Sequence, residues 1–310
     1  MTDRERFAAI DIGTNTVLLL IAERSGHGLV AVEEHATITR LGEGVDRTRR
    51  LDAHAASRTL TCLERYAAAM RNSDVSRFSV VGTSALRDAE GARDFLDQAE
   101  SILGERPRVI GGEEEAALSF VGTLSGLPIA GPVTVFDIGG GSTEIIFGQA
   151  RAPSYAVDAA FSLDIGSVRL LERHLQDDPP SAAELDQVRR DVRAALATLP
   201  RAPAGRVVGV AGTVTTLAAI QAELQPYDGA AVHGSVLATS SVNALAARLA
   251  SLSHEERRAL RGLDVKRADV IVSGALIACE LLDWCGASEL VVSDRGVRWG
   301  LLQRLAPPAG

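Results

Sequence analysis

Two short stretches of the sequence combine residue types that suit phosphate chemistry. Residues 11–16 read Asp-Ile-Gly-Thr-Asn-Thr, and residues 137–143 read Asp-Ile-Gly-Gly-Gly-Ser-Thr, 126 positions further on (137 − 11). Each follows an apolar run (7–10; 133–136) and precedes another (17–22; 145–147), so each reads as strand, tight turn, strand. An Asp at such a turn sets a hard oxygen ligand beside bare backbone N–H groups, a combination suited to a metal-bound phosphate. A single Asp-Gly turn often does no more than brace its own backbone. Its recurrence in matched contexts favours the phosphate reading.

The two loops offer different donors. Gly139, Gly140 and Gly141 let the backbone approach an oxyanion, with Ser142 and Thr143 adding hydroxyls. In the first loop, after Gly13, the donors are the side chains of Thr14, Asn15 and Thr16. Magnesium is the metal such a set suits, held by Asp11 and Asp137; Glu144 either joins that shell or faces solvent from its strand.

Neither loop contains a free base, and phosphoryl transfer to water is helped by a residue that orients the nucleophile. Glu115 is the candidate, the last of three glutamates (Glu113, Glu114, Glu115) opening a helix after Gly111-Gly112. Carboxylates in a first helical turn also favour the macrodipole by about 0.3–1 kcal/mol each, so position alone does not single it out. Arg87, just past a strand end, either clamps phosphate oxygens or forms a surface ion pair with Asp88 or Asp94. Gly212-Thr213, at another strand-to-helix turn, reads as an anion site or as packing. Lys266, Arg267, Arg295 and Arg298 line a polyanion path or form solvated faces.

Positioning these residues takes two similar halves. In the first, strands are followed by a helix capped by Asp52 with apolar steps at Ala56, Leu60, Leu63, Ala67 and Met70, a strand over 78–81, a helix near 91–103 and the Glu-rich helix. Glycines and prolines over 122–132 interrupt the pattern and mark a boundary or hinge. The second half restarts with the repeated loop. Strand 154–161 and helix 166–174 follow, then a helix opened by the Ser181/Glu184 capping box, strand 207–210 with a helix after it, a long apolar helix over 267–282, strand 290–292 and helix 296–305. The expected architecture is α/β, with domains 1–125 and 126–295 and the segment 296–310 packed back on the first.

Composition narrows the class. A length of 310 residues supports two domains, and 46% hydrophobic with 23% charged residues is ordinary for a globular protein. The charge of −8 disfavours nucleic acid as partner, so attraction for an anionic substrate must be local. No apolar run is long enough for a membrane span and the first residues carry no signal core, which predicts no membrane partner and a cytoplasmic location. Cys62, Cys279 and Cys285 form no paired framework, and six scattered histidines give no zinc motif.

With these residues in place the chain resembles the exopolyphosphatase and guanosine pentaphosphate phosphatase family, of the actin-like (ribonuclease H-like) fold shared with sugar kinases. The stretches that carry the resemblance are 9–16, Gly82 with Arg87-Asp88-Ala89, 110–116, 136–144, 162–166, 209–213, 267–271 and 293–300, in family order along almost the whole chain. The resemblance implies two actin-like domains facing a cleft and magnesium-dependent removal of the terminal phosphoryl of a phosphoanhydride chain. The substrate it implies is inorganic polyphosphate or, alternatively, guanosine pentaphosphate (pppGpp). It places the catalytic base on Glu115, 22 positions before Asp137 (137 − 115), and phosphate and metal positions on Asp11, Asn15, Thr16, Arg87, Asp137, Gly140, Ser142 and Glu144. It also implies a homodimer. Ala117 departs from the arginine that many members carry two positions after the base, which leaves room for a nonhydrolytic polyphosphate- or pppGpp-binding regulator. The resemblance is to the short form of the family, without the extra helical domains of longer members.

Overall fold

The computed structural model describes residues 5–25, 28–151, 154–203 and 205–306. The first four residues and 307–310, on which the reading of the chain's start and the end of its last segment rested, lie outside the described residues. The chain forms two units, 1–122 with 297–310, and 123–296.

The first unit contains β1 (Arg6–Ile12), β2 (Thr16–Ser25), β3 (Gly28–Ile38), α1 (Val45–Thr48), α2 (Ala53–Asn72), β4 (Arg77–Gly82), α3 (Ser84–Asp88), α4 (Ala92–Leu103), β5 (Arg108–Val109) and the start of α5 (Gly112–Leu124). Its sheet has the order β3-β2-β1-β4-β5, antiparallel across β1 to β3 and parallel across β1, β4 and β5. The apolar run in β1 is continuous because the central strand is covered on both faces. Ala8, Ile10 and Ile12 pack with Leu63 and Met70 of α2, while Phe7 and Ala9 pack with Trp299 and Leu302 of the C-terminal helix. Edge strand β3 leaves Val30 and Val32 exposed instead. Helix α2 starts where its cap requires: the Asp52 carboxylate accepts the Ala55 N–H at 2.9 Å.

The second unit contains β6 (Gly131–Ile138), β7 (Thr143–Arg151), β8 (Ser154–Leu163), α6 (Ser167–His174), α7 (Ala182–Leu196), β9 (Arg206–Val210), α8 (Ala211–Gln221), α9 (Gly229–Val232), β10 (Val236–Ala238), α10 (Thr239–Ser251), α11 (His254–Arg258), α12 (Ile271–Cys285) and β11 (Glu289–Val292). Helix α13 (Val297–Leu305) belongs to the first unit. The second sheet runs β10-β11-β9-β6-β7-β8. Taking β6, β7, β8, β9 and β11 for β1 to β5 reproduces the first sheet's order and directions, with β10 added antiparallel at one edge. The duplication announced by the loops thus extends through both sheets.

The capping box of α7 forms: the Ser181 N–H donates to the Glu184 carboxylate at 2.8 Å. Amides of Gln176 and Ser181 hold the Glu184 carboxyl down to about 2. The long apolar helix expected over 267–282 is shorter at its start and longer at its end. Asp264 caps a 3-10 turn at Val265–Arg267, and the α-helix begins only at Ile271. Cys279 and Cys285 are free thiols that burial pushes up to about 11 and about 12, which makes them poor nucleophiles.

His233 sits where α9 meets β11, with Nδ1 3.3 Å from the Ser293 hydroxyl, which in turn donates to the Thr123 carbonyl at 2.9 Å. Burial first, then the nearby Arg295, holds its pKa below the usual 6.5. The unfolded chain therefore takes up this proton more readily than the folded one, and stability is lost as pH falls below 6.5. Chemical denaturation at pH 7.5 and 5.5 is expected to show a larger drop for the wild type than for His233→Gln; equal drops contradict the assignment.

Candidate active site

In the first unit, β1 delivers Asp11 to the sheet's end opposite Leu18 of β2, and the turn closes with the Gly13 N–H donating to the Thr16 carbonyl at 3.1 Å. A Cβ on Gly13 would stand 2.9 Å from that carbonyl oxygen, so only glycine fits. The segment after β3 wraps this loop: the Gly42 N–H donates to Thr14 O at 2.8 Å, and the Thr39 and Arg40 amides to Asn15 O at 3.1 and 3.0 Å. The Asn15 Oδ1 is buried and has no hydrogen-bond partner among the described residues. A buried unpaired acceptor costs about 1–3 kcal/mol and calls for a donor from outside the chain, such as a hydrated ion.

The three glutamates of α5 have three different environments. Glu113 is exposed, Glu114 is bound by Arg108 and Arg304, and Glu115 is buried at 7% exposure. Its carboxylate meets Arg87 Nη1 of α3 at 2.5 Å, and the same nitrogen donates to Ile110 O at 3.0 Å. Neither sequence reading of Arg87 included this partner; Asp88 is instead within 3.4 Å of the Ser84 hydroxyl. Strand β4 and its turn bring Arg87, and β5 with its turn brings Glu115, because β4 and β5 are parallel neighbours ending on the same side. The guanidinium holds Glu115 in one place with its charge compensated.

In the second unit the turn geometry repeats: the Gly139 N–H donates to Ser142 O at 3.0 Å, and a Cβ on Gly139 would stand 2.9 Å from that oxygen. Thr16 therefore corresponds to Ser142, and Leu18 to Glu144. The register places Asp137 directly opposite Glu144, and Glu144 opposite Ser162, whose hydroxyl donates to it at 2.8 Å. Glu144 is 1% exposed and Asp137 8%, so Glu144 does not face solvent. Two carboxylates directly opposed across strands bring their oxygens to one place, where a single cation can be shared between them. Among the described residues no group of three or more His, Cys, Asp or Glu could enclose a metal ion. Two carboxylates nevertheless fit magnesium, which keeps waters and takes the rest of its shell from a substrate.

The carbonyls of the glycine loop are bound by the start of α6. Ser167 N donates to Gly139 O at 2.9 Å, and Val168 N and Arg169 N to Gly140 O at 2.9 and 3.1 Å. The amides of Gly140, Gly141 and Ser142 have no acceptor among the described residues, the arrangement of an anion nest. Thr143 does not belong to that nest: it is fully buried and its hydroxyl donates to Ile165 O at 2.7 Å, bracing the loop. Sequence reading placed Gly166 at a helix start without seeing why it matters. A Cβ there would lie 2.4 Å from Gly140 O, so Gly166→Ala is expected to displace the nest, raising KM for an anionic substrate at least tenfold; unchanged kinetics contradict this.

Of the other basic candidates Lys266 is exposed, and three make contacts within the protein. Arg298 is buried and pairs with Glu34 at 2.7 Å, Arg295 donates to Ser125 O at 3.1 Å, and the Arg267 guanidinium occupies the space a side chain on Gly212 would need.

A loop of phosphate-binding type in each unit and an arginine-held glutamate suit a phosphoryl-handling protein, and comparison with known proteins says which. The model of the Ppx/GppA phosphatase family matches residues 20–308. The chain belongs to the Ppx/GppA phosphatase family. It is 40% identical to exopolyphosphatase 2 of Mycobacterium tuberculosis over 97% of this chain and 98% of that one. The crystal structure of the Aquifex aeolicus Ppx/GppA family member superposes with a TM-score of 0.83 at 33% identity, covering 99% of both chains. The guanosine-5'-triphosphate,3'-diphosphate pyrophosphatase of Vibrio atlanticus is 29% identical over 95% of this chain but 58% of its own length. Membership gives the duplicated sheets their class: each unit is one half of the two-domain actin-like fold of these phosphatases.

Proposed function

We propose that this Ppx/GppA family member is an exopolyphosphatase, hydrolysing the terminal phosphoanhydride of inorganic polyphosphate with magnesium and releasing orthophosphate. The observation that carries the reading is the buried Glu115 carboxylate held by Arg87 in a chain otherwise built around two phosphate loops. Near-full-length similarity to an exopolyphosphatase supports the substrate class.

In this reading Glu115 accepts a hydrogen bond from a water and takes its proton as the water oxygen attacks the terminal phosphorus. The P–O bond to the bridging oxygen breaks, and the shortened chain leaves carrying the charge. The amides of Gly140, Gly141 and Ser142 receive the phosphoryl oxygens as charge builds on them, preorganised donors of the kind worth about 10²–10³ each in rate. Magnesium at Asp137 and Glu144 would neutralise phosphate charge when bound. The enzyme is further proposed to act as a cytoplasmic homodimer, which light scattering of the purified protein and cell fractionation test.

A second reading, hydrolysis of pppGpp, draws on the Vibrio relative. Phosphate release from long polyphosphate, short polyphosphate, pppGpp and ATP, with and without magnesium, separates the readings. The proposal expects polyphosphate to give the highest kcat/KM. Preference for pppGpp selects the second reading, tight binding without release a nonhydrolytic regulator, and ADP formation that requires a sugar acceptor a kinase.

A further inference from the structure

Arg169 is a charged side chain, 5% exposed, that reaches the glycine loop. Its Nε donates to Gly141 O at 2.6 Å, and Nη2 is 3.7 Å from the largely exposed Asp164 carboxylate. Nothing in the sequence pattern marks it.

The contact matters because of what a peptide bond transmits. Each carbonyl shares a resonant plane with the N–H of the following residue, so a donor on the oxygen makes that N–H a stronger donor in turn. Gly139 O, Gly140 O and Gly141 O accept from Ser167 N, from Val168 and Arg169 N, and from the Arg169 guanidinium respectively. The N–H groups downstream are those of Gly140, Gly141 and Ser142, the three of the nest. Two of the peptides are polarised by the positive end of α6, and the third by a full charge. In the first unit the corresponding carbonyls, Thr14 O and Asn15 O, meet the neutral amides of Gly42, Thr39 and Arg40.

We propose that Arg169 is a positioning residue of the phosphatase reaction, one that acts through the Gly141 carbonyl to orient and strengthen the Ser142 amide toward the phosphoryl oxygens in the transition state. This rests on the proposed phosphohydrolase reading. An effect confined to the developing charge lowers kcat more than it raises KM.

The test uses the full-length protein with Arg169→Gln, measuring magnesium-dependent phosphate release from polyphosphate and inhibition by orthophosphate and by orthovanadate, which mimics five-coordinate phosphorus. Expected are a fall in kcat of about 10- to 100-fold, a fraction of the value of one oxyanion donor, a KM within threefold of wild type, and a loss of vanadate affinity about tenfold larger than the loss of phosphate affinity. A purely structural arginine would lower the melting temperature and the active fraction but leave the vanadate-to-phosphate ratio unchanged, and that result overturns the proposal. Should Arg169→Gln not give folded protein, Arg169→Lys keeps the charge in the same space without the planar Nε donor. About a threefold fall in the ratio is then expected, and a wild-type ratio overturns the proposal equally. If the wild type itself releases no phosphate, the functional reading fails first; if the wild type is active and the variant unimpaired, only the role of Arg169 fails.

Discussion

Glu115→Gln is expected to lower the turnover of polyphosphate by about 10²–10⁴ while substrate still binds, with KM changed little. Glutamine keeps the size of the side chain and an oxygen that can accept from Arg87, so the turn from β5 into α5 stays in place. What is lost is the proton acceptor for the attacking water. The neighbouring glutamates supply internal controls. Glu113 is exposed and Glu114 is occupied by Arg108 and Arg304, so Glu113→Gln should leave kcat within a factor of two, and Glu114→Gln should act on stability through lost ion pairs. Wild-type phosphate release by Glu115→Gln would remove this glutamate from the mechanism.

The second large effect is at the opposed carboxylates. Asp137→Asn is expected to reduce magnesium-dependent activity by at least about 10²-fold, since it removes one of the two acids that fit the ion. Added magnesium should raise the wild-type midpoint, because it binds the folded state alone, and leave Asp137→Asn nearly unmoved. Thermal scans with EDTA and with magnesium check this response. A variant that still responds fully to magnesium would place the ion elsewhere.

The sequence exposed the parts of this site whose chemistry is local. The Asp-Ile-Gly turns show because an Asp, a glycine and flanking apolar runs lie within a few residues, and both turns close with the same Gly-to-hydroxyl-residue backbone bond. Glu115 was identifiable by elimination, but its distinction from Glu113 and Glu114 is a matter of burial, which depends on where β4 and β5 end. Arg87 pairs across 28 positions, and no spacing rule selects Glu115 over the nearer Asp88. Thr143 looked like one more hydroxyl donor because composition does not say that Ile165, 22 positions away, takes its proton. Arg169 and Gly166 were illegible for the same reason: their importance lies in a helix start folding back on the glycine loop. In the fold, α10 and β10 were missed, since residues 236–251 carry small and polar side chains whose few buried positions, Leu237, Val242, Ala246, Leu249 and Ala250, give a weak pattern. The boundary between units falls inside α5, after Gly122, because the helix runs through that glycine to Leu124.

The central claim is that a water held by Glu115 attacks the terminal phosphorus of a polyphosphate chain. Hydrolysis in ¹⁸O-labelled water, with the products resolved by ³¹P NMR, tests it directly. One labelled oxygen in each released orthophosphate and none on the shortened chain is the predicted result; label on the new chain end, or orthophosphate formed without label, contradicts it.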